Sequence, residues 1–180
     1  GELYQLDVRK RQIFDEDYYY KIIQSKTASL FEAAAISATY IINVDKKTSE
    51  NFRLFAHHLG ISFQLTDDVL DLEKDGTQLK KEIGQDYEQG QLTLPMIIAL
   101  NTLNEDEKNK FKDLFKNGDI NGIKIIQRCI SKQNFKKEIN MKIQKHIHAA
   151  TDAISNVPPS LCKDQLIYLL SQIQKRILSI

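Results

Sequence analysis

Tryptophan is absent from the 180 residues, proline occurs three times, and glycine seven times. So few backbone breakers leave room for long helices. No stretch alternates apolar and polar residues for long enough to make a half-buried strand. Cysteine occurs twice, at Cys129 and Cys162, with no CxxC spacing and no neighbouring His–Cys cluster. That pattern excludes a disulfide framework and a zinc site, so reduced thiols and a cytoplasmic setting are expected. Charge of one sign is not in excess, with 25 basic against 24 acidic side chains and a net charge of +1. A dedicated nucleic-acid binder would carry a basic surplus, so no nucleic-acid partner is expected. The Lys-rich stretch 108–145 has Asp and Glu interleaved and reads as a solvated helix face. The most apolar stretch, 28–44, contains Glu32 and much Ala, Ser and Thr. It is too short and too mixed to span a bilayer and reads as a core helix. The opening GELYQLDVRKRQ has no signal-peptide pattern and does not begin with Met. It reads like the middle of a helix, so the chain is expected to be a piece of something longer.

What is present is helix-forming sequence, enough for one domain with its own core. The spacing predicts helices at about 2–13, 17–43, 48–74, 94–103, 105–116, 119–131, 134–155 and 160–177. Thr48 or Ser49 is placed to cap the third of these, and Asn104 with Glu107 fits a capping box. Pro95 suits a first helical turn, while Pro158 and Pro159 separate the last two helices. Gly76, Gly84 and Gly90 fall in a polar connection from about 75 to 92, and connections that long are often functional.

The segment FQLTDDVLD carries the strongest chemical signal. At about 100° per residue, Gln64, Asp67, Asp68 and Asp71 share an arc of roughly 100°, with Gly60 one turn earlier on the same stripe. Leu65, Val69 and Leu72 lie on one flank, and Leu59, Phe63 and Leu70 on the other. Apolar flanks on both sides place the polar stripe against an internal cavity. Two carboxylates about 6 Å apart repel by roughly 2–3 kcal/mol at an effective dielectric near 20, so a cation is wanted there. A hard divalent ion that shares phosphate oxygens, magnesium, fits best. The competing reading is an acidic helix face in water.

Two further segments stand out. Lys26–Thr27, in YYYKIIQSKTASLF, is predicted inside a helix among Ile22, Ile23, Leu30 and Phe31. A lysine there either meets an anion or snorkels to the surface. LKKEIGQDYEQGQLTLP offers Lys80, Lys81, Asp86 and two glycines, a composition suited to covering a phosphate.

Taken in order, these segments resemble the C-terminal half of trans-polyprenyl diphosphate synthases. That half runs GExxQ, KTAxLF, GxxFQxxDDxxD and KxxGxDxxxGxxTLP. Here the matching residues are Gly1, Glu2 and Gln5; Lys26, Thr27, Ala28, Leu30 and Phe31; Gly60, Phe63, Gln64, Asp67, Asp68 and Asp71; then Lys81, Gly84, Asp86, Gly90, Thr93, Leu94 and Pro95. Gln91 stands where the family has Lys, and Lys80 where it has Gly. From 101 to 180 the likeness is a general helical one.

The resemblance implies an all-α, isoprenoid-synthase-type helical bundle, with residues 1–180 as the C-terminal portion of a polyprenyl synthase domain. It implies condensation of isopentenyl diphosphate with an allylic diphosphate by ionisation, attack and proton loss. Asp67, Asp68 and Asp71 become the second aspartate-rich motif and ligate Mg2+, with Asp67 in direct contact. Lys26 and Lys81 neutralise the allylic diphosphate. Thr27 and the carbonyl of Gln64 turn their negative dipole ends toward the developing cation. A homodimer is implied through the complete enzyme. No second DDxxD occurs in this sequence, so the isolated chain is expected to be inactive alone. The alternatives are an incomplete small or regulatory subunit of a heteromeric synthase, and a helical interaction protein whose acidic stripe is coincidental.

Overall fold

The computed structural model describes residues 2–6, 8–73, 84–130 and 133–178, and every regular element among them is helical. In chain order these are α1 (Glu2–Leu6), α2 (Val8–Arg11), α3 (Glu16–Ile23), a π-helical turn (Gln24–Ala28), α4 (Ser29–Ile41), α5 (Lys46–Glu73) and α6 (Gln85–Glu88). They continue as α7 (Leu94–Thr102), α8 (Glu105–Asn117), α9 (Asn121–Ile130), α10 (Gln133–Ala153) and α11 (Leu161–Leu178). Among the described residues no helix is long and apolar enough to cross a membrane.

Local chemistry accounts for most boundaries. Asn104 caps α8 by accepting from the Glu107 amide at 2.9 Å, and Gly118 ends that helix at φ 68°. Pro95 lies in the first turn of α7. The expected cap of α5 is corrected: the helix starts at Lys46, and Asp45 is its cap, accepting from the amides of Lys47 and Thr48 at 2.9 and 3.0 Å. A carboxylate one residue ahead of the helix reaches both amides, which Thr48 and Ser49, already inside the first turn, do not. The helix expected over 17–43 is present without a break from Glu16 to Ile41, with the π turn inside it between α3 and α4. The predicted connection 75–92 contains the short helix α6 in its described part.

The chain divides into two compact units. The first comprises Gly1–Ile22 and Asp67–Asn140. Its core is aromatic: Phe14 and Tyr87 each meet Phe111 and Phe115 edge-on at 5.3–6.0 Å between ring centres. Helix α7 is buried from Leu94 to Leu100, which explains a run with no polar face. Tyr87 donates to the Asp119 carbonyl at 2.8 Å, and its hydroxyl occupies the place a side chain at Gly122 would need.

The second unit comprises Ile23–Thr66 and Met141–Ile180. Phe55, Leu59, Leu65, Ile143, Ile147 and Leu170 fill its core. Glu32 of α4 binds Arg53 at 2.6 Å and His57 at 2.8 Å, both on α5. Burial acts to raise the Glu32 carboxyl pKa, but the bonds from His57 and Arg53 outweigh it and lower the pKa. Farther along the same two helices, the hydroxyls of Thr39 and Ser49 lie 2.9 Å apart. A cavity of about 370 Å3 lies in this unit, lined by Phe31, Ala35, Ala38, Phe52 and Phe55 among others, with Leu166 contributed by α11. Cys129 in the first unit is buried, Cys162 in the second is exposed, and both are free thiols.

His58 of α5 and His146 of α10 face each other with Nδ1 atoms 3.0 Å apart. Burial, followed by the charges of His58, His57 and Lys145, pushes the His146 pKa down to about 4 from an ordinary 6.5. Below pH 6.5 the unfolded chain therefore takes up a proton that the folded chain refuses. The resulting stability is fully present above pH 6.5 and is lost as pH falls through 4. Urea midpoints measured from pH 7 to pH 4 should fall accordingly, and His146→Gln should flatten the decline.

Candidate active site

Helix α5 runs unbroken for 28 residues and carries Gln64, Asp67, Asp68 and Asp71 on its last turns. Its start is fixed by Asp45, and Leu59, Ile61, Leu65, Val69 and Leu72 bury its apolar side. Periodicity alone places the three aspartates on one stripe, but the structure gives them different surroundings. Asp67 is exposed, Asp71 is half-buried, and Asp68 retains only 3% of its surface. The expected burial of both flanks is corrected in part. Phe63 is 40% exposed, and its ring lies 6.0 Å from that of Phe31 between centres.

In the first unit, Asp68 accepts a hydrogen bond from the hydroxyl of Tyr19 on α3 at 2.6 Å, and Tyr19 is wholly buried. Burial, then the Asp68 carboxylate, holds the Tyr19 pKa well above its ordinary value, so the phenol stays a donor. Asp86, on α6, adds to the same upward shift. Asp71 is tied to that segment twice. Its carbonyl accepts from the Gly84 amide at 3.3 Å, and its carboxylate receives the Asp86 amide at 3.4 Å. Gly84 makes this turn at φ 81°, a left-handed conformation that suits glycine. The aspartate end of α5 is thus joined by Asp86 and braced by Tyr19. Neither was among the site residues expected from sequence. Asp86 stood in a quoted motif, whereas Tyr19 sits in a run of three tyrosines that marks none of them.

In the second unit the π turn Gln24–Ala28 presents Lys26 and Thr27. Such turns widen a helix by one residue and are frequent at functional sites. Thr27 donates to the side-chain carbonyl of Gln64 at 2.7 Å. The hydroxyl proton is thereby directed at the amide oxygen, and the Thr27 oxygen keeps its lone pairs for a second partner. Lys26 is half-buried as expected, with Ile22 and Ile23 buried, but Leu30 is 70% exposed, so its apolar surround is one-sided. Close packing makes the Thr27 contact available. A side chain at Gly60, one turn before Gln64, would stand 2.8 Å from the Ala28 Cα. Lys80 and Lys81 lie outside the described residues.

Magnesium suits the donor chemistry of the aspartate end, where the carboxylates of Asp67, Asp71 and Asp86 offer oxygen ligands only. Among the described residues no three His, Cys, Asp or Glu side chains converge into a cage that holds a metal unaided. An edge of one or two carboxylates holds magnesium in company with phosphate oxygens.

Among the described residues every regular element is helical, and the aspartate end of α5 carries a carboxylate edge. The family model for polyprenyl synthetases matches residues 1–132. The chain belongs to the polyprenyl synthetase family. It is similar to the octaprenyl diphosphate synthase of Escherichia coli (strain K12), 31% identical over 86% of this chain and 47% of that protein. It is also similar to the all-trans-nonaprenyl-diphosphate synthase (geranyl-diphosphate specific) of Rhodobacter capsulatus, 28% identical over 94% of this chain and 52% of that one. Among solved structures, a decaprenyl diphosphate synthase from Rhodobacter capsulatus superposes with a TM-score of 0.87 at 25% identity. That match covers 98% of this chain and 55% of the other. The chain spans about half the length of the curated relatives it matches.

The Gly60 contact generates a direct test. Gly60→Ala sets a methyl against backbone, which cannot rotate away, and should destabilise by about 1–3 kcal/mol. Chemical denaturation would read this; an unchanged midpoint would show that the π turn does not need the close approach.

Proposed function

We infer that this chain forms the second aspartate-rich half of a prenyltransferase that condenses isopentenyl diphosphate with an allylic diphosphate into a linear isoprenoid diphosphate. The observation that carries the reading is the aspartate end of α5, where Asp68 is pinned by Tyr19 and Asp71 is tied to the Gly84–Asp86 segment. Membership of the polyprenyl synthetase family supports it.

In this reading Asp67, Asp68 and Asp71 form the magnesium edge, with exposed Asp67 as the direct ligand. Bound magnesium supplies positive charge to the allylic diphosphate. Lys26 and Lys81 add fixed positive charge at the diphosphate oxygens. The Thr27–Gln64 pair turns oxygen lone pairs toward the allylic carbons, where positive charge develops as the C–O bond breaks. Charges and dipoles fixed before the reaction need no reorganisation during it, which is the source of their effect on rate. Within the second unit, the cavity bounded by Phe31, Ala35, Ala38 and Phe55 has an apolar lining of the kind that suits a hydrocarbon chain. The complementary aspartate-rich motif comes from outside these 180 residues, and the complete enzyme is a cytoplasmic homodimer.

In the complete enzyme, Asp67→Ala should lower turnover by about 100-fold or more while leaving the folded state intact. Normal turnover would sink the assignment of Asp67. Lys81→Ala should raise the KM for the allylic diphosphate several-fold with a smaller effect on kcat. An unaltered KM for that substrate would remove Lys81 from the site.

A further inference from the structure

We propose that Tyr19 is a positioning residue that holds Asp68 as the fixed member of the aspartate edge, leaving Asp67 and Asp71 to meet the metal and diphosphate. The proposal rests on the reading of that edge as a magnesium–diphosphate site. Three observations carry it. Tyr19 is fully buried, Asp68 is 3% exposed, and their oxygens are 2.6 Å apart, within the short range of charge-assisted O–H···O bonds. The two residues belong to different helices, α3 and α5, and lie in one compact unit. Asp67, the immediate neighbour of Asp68, is exposed, so adjacent carboxylates point into different surroundings.

The chemistry of the donor matters. A carboxylate taken out of water must be hydrogen-bonded or paired with a cation. A lysine or arginine at position 19 would satisfy Asp68, but it would also cancel one of the charges that attract a divalent ion. A phenol supplies the hydrogen bond and adds no charge. Tyr19 therefore keeps one carboxylate from swinging away from its neighbours without itself cancelling a charge of the edge. The Asp86 amide, bonded to Asp71, acts in the same sense: it too is a neutral donor.

The test uses the complete enzyme with Tyr19→Phe, Asp68→Asn and the double variant. In EDTA, urea denaturation of the three against wild type gives a double-mutant cycle with no metal present. The expected coupling is about tenfold or more in the unfolding constant, in keeping with a hydrogen bond to a charged group. Additive effects would show that the bond contributes nothing and would overturn the proposal. The double variant keeps the ring and removes the unpaired charge, so it reports on the pair even if Tyr19→Phe alone folds poorly.

The second arm titrates magnesium with inorganic diphosphate and follows binding calorimetrically. Tyr19→Phe should weaken magnesium-dependent diphosphate binding by about three- to tenfold. At saturating magnesium the KM for the allylic substrate should stay within about twofold of wild type. Unchanged magnesium binding by a folded Tyr19→Phe variant would make Tyr19 merely structural and overturn the positioning role. If wild type itself shows no magnesium-dependent diphosphate binding, the site reading fails. The EDTA cycle then still reports separately on the Tyr19–Asp68 bond.

Discussion

A carboxylate removed from water governs the end of α5. Asp68 is almost completely buried, and an ionised group in that position is costly unless it is hydrogen-bonded or paired. The hydroxyl of Tyr19 meets that requirement, and in doing so it fastens α3 to the helix that carries the other aspartates. Asp71 completes the arrangement by receiving amides of the Gly84–Asp86 segment through its backbone and side chain. Two of the three carboxylates thus accept hydrogen bonds from neutral donors, the Tyr19 hydroxyl and the Asp86 amide.

The continuity of α5 is the second constraint. A single helix of 28 residues carries Gln64 about one turn before Asp67. The π turn at Gln24–Ala28 is where Thr27 reaches Gln64, and Gly60 is the position at which an ordinary side chain would collide with that turn's backbone. Glu32, Arg53 and His57 then bind α4 to α5 beyond the turn, where a mutual displacement of the two helices would break charge-assisted bonds.

Much of the fold was legible from residue pattern. Helix ends near Asn104, Pro95 and Pro158 agree with the structure because each residue there has a backbone-level reason to start or stop a helix. The π turn between α3 and α4 was not legible. QSKTA contains neither Gly nor Pro, so no helix-breaking residue marks the π turn in the sequence. The cap of α5 was misplaced by a few residues because Thr48 and Ser49 are also good capping types, and only the geometry shows that Asp45 holds the amides. Leu30 and Phe63 were read as buried from an apolar pattern that does not say how far a neighbouring element extends.

The DDVLD segment, together with Lys26–Thr27, Gln64 and the loop glycines, pointed to the family by sequence alone. Residue type fixes what can bind magnesium or diphosphate, and motif order fixes the scaffold. The tertiary structure decided the surroundings of each aspartate. Neighbouring residues on a helix point about 100° apart, so Asp67 and Asp68 meet different surroundings although the sequence gives them the same letter. Which of three consecutive tyrosines meets Asp68 depends on how α3 packs in its unit, and no local rule in the chain encodes that choice.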